Sequence, residues 1–182
     1  DLDRVIAAVR MGLRFNASQT CIAPRRVFVH DSRYDELCNR IDEVVRGIEP
    51  ADVPAATIEK LGGWTRDAEA DGARRLSGPG HEIASPMPPL VLADVSPNAA
   101  ISDADVFAPV VSLMRCDNER AMLDAYGQCG YRLGASVFGQ RNAQRIADKL
   151  DAGHVVVNDV IAPTADPRLP FPARGHSGFG AT

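Results

Sequence analysis

Apolar residues recur through the opening segment at Val5, Ile6, Val9 and Leu13, three and four residues apart, which is the spacing of one helical face. Asp1 and Asp3 stand at the end where a helix dipole favours negative charge, so the first fifteen residues are predicted to be helical. Pro24 closes the interruption that follows, because proline cannot continue a helix. Arg26-Val-Phe-Val-His30 is a short β-branched and aromatic run and predicts a buried strand. Asp31-Ser32 then offers a helix cap. Behind it Tyr34, Leu37, Cys38, Ile41, Val44 and Val45 form one apolar stripe, predicting a helix that ends at Gly47.

Pro54 to about Arg74 reads as a weaker helix, interrupted by Gly62-Gly63, and the glycines and prolines of 77–89 read as loop. Strands are expected over Leu90–Val95, Val110–Met114, Leu133–Phe138 and His154–Asn158. Helices are expected from Asp117-Asn118 to about Cys129 and on the face made by Ala143, Ile146, Ala147 and Leu150, with Gly153 as a left-handed cap. The tail from Ala162 to Thr182 is rich in proline and glycine and reads as irregular. Strands alternating with helices predict an α/β fold, a three-layer sandwich whose mainly parallel sheet has helices on both faces.

Composition narrows the function. With 45% hydrophobic and 24% charged residues, the 182-residue chain suits one globular domain, taken as 1–182. A net charge of -4 and basic runs of only two, Arg25-Arg26 and Arg74-Arg75, argue against nucleic acid; both doublets read as solvated faces or local ion pairs. No apolar stretch is long enough to span a membrane. Four cysteines without CxxC spacing read as free thiols, and cytoplasmic placement is expected. Four scattered histidines give no metal-binding spacing, so no metal is expected.

Cys21 is the first candidate for chemistry, because it lies in a loop between helix and strand, where a thiol can be both accessible and activated. An inert core thiol is the competing reading for any single cysteine, and it is the one adopted for Cys38, which shares a face with Leu37 and Ile41.

Asn16-Ala-Ser-Gln-Thr-Cys-Ile-Ala-Pro-Arg-Arg-Val-Phe-Val29 resembles the active-site cysteine motif of the aldehyde dehydrogenase superfamily. Four further segments resemble that family's blocks in the same order: Asp105-Val-Phe-Ala-Pro-Val-Val111, Tyr131-Arg-Leu-Gly-Ala-Ser-Val-Phe138, Asp151-Ala-Gly-His-Val-Val-Val-Asn158 and Leu169-Pro-Phe-Pro-Ala-Arg-Gly-His-Ser-Gly-Phe-Gly180. The resemblance implies the catalytic, thiol-bearing domain of an enzyme that oxidises a small-molecule aldehyde with NAD or NADP. It implies Cys21 as the nucleophile, Asp105 on the nicotinamide ribose and Phe107 against the cofactor. Thr20, Asn158 and Phe171 would line the region around the thiol, with core packing open for both phenylalanines and strand-end capping open for Asn158.

There are departures. Asp105 stands where the family has Glu, a carboxylate roughly 1.5 Å shorter in reach. Ser18, Ala108 and Pro172-Ala173 replace glycines, each of which could forbid a backbone conformation that glycine allows. The family's general base lies upstream of its cysteine, so Glu59-Lys-Leu-Gly-Gly63, downstream of Cys21, is read as a decoy. The expectation is a domain excised from a longer chain, lacking its nucleotide-binding domain and inactive alone, whose parent is a homo-oligomer. A degenerate domain kept for assembly or regulation, and a cofactor-free thiol esterase, are the alternatives.

Overall fold

The computed structural model describes residues 1–160 and 162–180, without side chains for 162 and 163. Helix α1 (Leu2–Arg14) begins where the Asp1 carboxylate accepts from the Asp3 backbone N–H and gives way to a 3-10 turn over Phe15–Ser18. Strand β1 is Arg26–His30. The single helix expected after it is two, α2 (Asp31–Asn39) and α3 (Ile41–Val45), broken at Arg40, whose φ of −101° and ψ of 10° leave helical space. The apolar stripe runs on across the break, which is why periodicity alone hides it. His30, not Asp31 or Ser32, caps α2: its ring accepts from the Ser32 N–H.

Helix α4 (Ala55–Ala70) carries both Gly62 and Gly63. Strand β2 (Arg74–Ser77) went unforeseen; it is a polar edge strand without the β-branched residues that mark strands. Then follow β3 (Leu90–Ala93), β4 (Val110–Cys116), α5 (Glu119–Gly127), β5 (Gly134–Val137), α6 (Ala143–Ala147) and β6 (His154–Val157). The described tail is irregular apart from a 3-10 turn at Ala162–Ala165 and a single bridge from Tyr131 to Gly175; Ala181 and Thr182 lie outside the described residues.

The fold class is α/β, and the parallel strands fall into two sheets. The larger has the order β1-β4-β3-β2, with β2 antiparallel at its edge; β5 and β6 form a separate parallel pair. Side chains alternate across the large sheet. Leu90, Leu92, Val110 and Met114 face a core completed by Leu61 of α4 and by Ile101 and Val106. Val91, Ala93, Val111 and Leu113 face Ile6, Val9 and Leu13 of α1 and Tyr34, Leu37 and Val44 of α2 and α3. These three layers bury β3 completely and β4 almost so, as expected for parallel strands covered on both faces.

Gly153 corrects another expectation. It makes no left-handed cap, since α6 ends at Ala147 with Asp148 as its cap and Gly153 has no positive φ. It is needed instead for close approach: a Cβ there would lie 2.0 Å from the Pro172 carbonyl oxygen, so a side chain would push the tail off the small sheet.

Candidate active site

Cys21 sits in a turn closed by the Ala23 N–H donating to Thr20 at 3.2 Å. The thiol is free and exposed. Among the described residues, no backbone acceptor takes the Cys21 N–H. Immediately upstream, Asn16, Ala17 and Ser18 all have left-handed backbones, with φ of 48°, 53° and 59°. Each costs on the order of 1–2 kcal/mol in an L-residue, and such runs persist only where the surroundings over-determine them. Ser18 therefore adopts the conformation its lost glycine would have allowed freely.

The restraints are visible. Asn16 donates through its side-chain amide to the Gln19 carbonyl at 2.9 Å, and the Gln19 amide reaches the Asp52 carbonyl at 2.6 Å. Arg25 donates to the Ser18 hydroxyl at 2.9 Å and to the Ala108 carbonyl at 2.8 Å, with the Ser18 and Thr20 carbonyls as further acceptors. Burial pulls the Arg25 guanidinium down to about 10, and the Asp105 carboxylate pulls it partly back, so it stays charged at neutral pH. Arg25 was expected on a solvated face or in a local ion pair; no feature of a basic doublet reveals that its donors turn inward onto carbonyls. Gly12 brings α1 against this loop, for a Cβ there would meet Pro24 Cδ at 2.3 Å.

A cleft of about 760 Å³ lies between the two sheets. All of β1 and β5 line it, together with Thr20, Cys21 and Asp105. Arg26 also lines it, its guanidinium over the rings of Phe28 and Tyr126. Asp105 is exposed, and Phe107, 39% exposed, follows it on the loop that Arg25 holds through Ala108.

Asn158 and Phe171 are placed elsewhere. The Asn158 amide is committed to the Gly139 backbone, accepting its N–H at 3.0 Å and donating to its carbonyl at 2.9 Å. With φ at 58°, Asn158 closes the end of β6, the capping role left open for it. The Phe171 ring packs on His154, the centroids 5.2 Å apart. Neither residue belongs to the cleft lining. Glu59 lies on α4 and does not line the cleft either.

A doubly covered, mainly parallel sheet, with an exposed cysteine just after a left-handed run and beside a cleft, defines an α/β domain. The chain belongs to the aldehyde dehydrogenase family, whose sequence pattern matches residues 1–182. A succinate-semialdehyde dehydrogenase (NADP(+)) of Deinococcus radiodurans is 33% identical over 99% of this chain and 40% of its own length. The aldehyde dehydrogenase tropH of Talaromyces stipitatus is 32% identical over 88% of this chain and 36% of its own. The structure of an NADP-dependent glyceraldehyde-3-phosphate dehydrogenase from Bacillus halodurans superposes with a TM-score of 0.90 at 27% identity, covering all of this chain and 40% of that one. The chain thus spans about two fifths of the length of these relatives.

Proposed function

We propose that this chain is the thiol-bearing catalytic part of an NAD(P)-dependent aldehyde dehydrogenase, with Cys21 as its nucleophile. The observation that carries the reading is the exposed Cys21 thiol, held beside the cleft by a left-handed turn that only a restrained loop would keep. The deprotonated sulfur bonds to the aldehyde carbon, and the carbonyl π pair moves onto oxygen. The Cys21 N–H, without an acceptor among the described residues, would be available to that oxyanion. When the carbonyl re-forms, the carbon's hydrogen leaves with its bonding pair, and the sulfur is left in a thioester that water or another acceptor cleaves.

A bound nicotinamide supplies the hydride acceptor. Of the residues present, Asp105 offers an exposed carboxylate at the cleft, and Phe107, which does not itself line the cleft, offers an exposed ring two residues on. Asp105 would accept from ribose hydroxyls and Phe107 would pack beside the ring. Thr20 lines the cleft next to the thiol and would border the aldehyde. Ser18 tolerates its left-handed backbone, so its lost glycine does not favour the degenerate reading. All four cysteines are free, which suits a reducing compartment.

The test is NAD(P) reduction, driven by an aldehyde, in the polypeptide that contains this chain. Cys21→Ala should abolish it, and activity retained in that variant overturns the assignment.

A further inference from the structure

We infer that Arg25 is the positioning residue for Cys21: through Ser18 and Ala108, its guanidinium clamps the left-handed turn before the thiol to the loop that carries Asp105 and Phe107. The inference deepens the reading of Cys21 as nucleophile and rests on it.

Burying a guanidinium is unfavourable unless its donors find acceptors. Here those acceptors are the backbone of the turn itself, the Ser18 and Thr20 carbonyls, and across a gap in sequence the Ala108 carbonyl at 2.8 Å. The planar fork is rigid, so three separate backbone points become one fixed triangle, with Cys21 next in sequence to one of them. A lysine ammonium in this place offers a point charge and no fork. The Ser18 hydroxyl, which a glycine would lack, adds a side-chain acceptor at 2.9 Å. Serine at this position and arginine at 25 thus form a matched pair: the side chain that strains the turn also supplies the contact that restrains it. Asp105 supplies a nearby opposite charge that offsets part of the burial, so the clamp and the proposed ribose acceptor share one electrostatic neighbourhood.

A misplacement of about 1 Å can cost a reaction between positioned partners roughly a hundredfold, so a loosened turn should slow bond formation at Cys21 without unfolding the sheet. The experiment is aldehyde-driven NAD(P) reduction by the polypeptide that contains this chain, as the native protein, Arg25→Lys, Arg25→Ala and Ser18→Gly, with kcat and KM separated and circular dichroism checking the fold of each. Arg25→Lys and Arg25→Ala should lower kcat about ten- to a hundredfold with KM little changed. Guanidinium ion at tens of millimolar should restore the Arg25→Ala rate, whereas urea at the same concentration should not. Ser18→Gly, which relieves backbone strain and folds most readily, should lower kcat severalfold and reduce the further effect of Arg25→Lys.

Unchanged kcat in folded Arg25→Lys, or a rate in Arg25→Ala that guanidinium does not restore, overturns the clamp. Aldehyde turnover that survives Cys21→Ala overturns the nucleophile assignment instead.

Discussion

The two sheets are built on different physics. In the four-stranded sheet every residue of β3 is buried, and β4 exposes only Arg115. In the two-stranded sheet all of β6 is half-buried, and β5 alternates between exposed and half-buried. The large sheet is held by apolar burial on both faces. The small one is tied on by polar links: Asp103 to the Gly130 N–H at 2.8 Å, Glu119 to Arg145 and Lys149, and the Tyr126 hydroxyl to the Asp151 carbonyl at 2.9 Å. The cleft that displays Cys21 opens between them. One wall therefore rests mainly on apolar burial, while charged links add to the apolar contact of Ala8, Ile22, Phe138 and Val160 at the other.

The sharpest way to break this contrast is to empty one site in each sheet. Leu92→Ala should cost about 2–5 kcal/mol in urea unfolding, because a wholly buried side chain leaves a cavity. Val156→Ala, on half-buried β6, should cost less than about 1 kcal/mol. Equal losses would mean that the small sheet has a core of its own.

Next in size is Asn158→Ala, which removes two hydrogen bonds to Gly139 and leaves alanine in a left-handed backbone. A loss of about 1–3 kcal/mol is expected, seen as faster amide exchange at Gly139 and Val157 with β3 and β4 unaffected. Asn158→Gly should recover the backbone share alone.

A smaller effect separates the sheets by pH. Asp103 is held below the usual carboxylate range, first by the Gly130 N–H it accepts, and also by Cys129, His176 and Arg26. A carboxylate with a lowered folded-state pKa contributes stability that is complete above its unfolded value of about 3.9 and vanishes as pH falls through the lower folded value. Melting temperatures of the native protein and Asp103→Asn should therefore differ at pH 6 and converge toward pH 3. Parallel curves would show that Asp103 does not tie the sheets.

The smallest effect belongs to Glu119, pushed down to about 2 chiefly by Arg145 and then Lys149. These side chains are solvent-facing, so high salt should loosen α6 only slightly, and Glu119→Gln should remove that sensitivity.

The elements that pack against the large sheet were legible because burial imposes periodicity. The stripe Val5–Leu13 marks α1, and the aliphatic runs mark β3 and β4. The outlying features were not. Strand β2 is Arg-Arg-Leu-Ser, a polar edge with no pattern to read. That β5 and β6 pair apart from the main sheet depends on which edges meet, and periodicity says nothing about pairing. At the site, the cysteine loop was identifiable by resemblance and by Pro24. Arg25 was not, because the direction in which a guanidinium points is fixed by carbonyls as remote as Ala108. Gly153 was legible as a special position but for the wrong reason, since a close approach leaves no local signature.

Gly12 has a mechanical consequence. A hydrogen atom on α1 is the spacer that lets Pro24 nest against the helix, and Pro24 is three positions beyond Cys21. The helix thus serves as a fence post for the loop, and one added methyl group would move the gate.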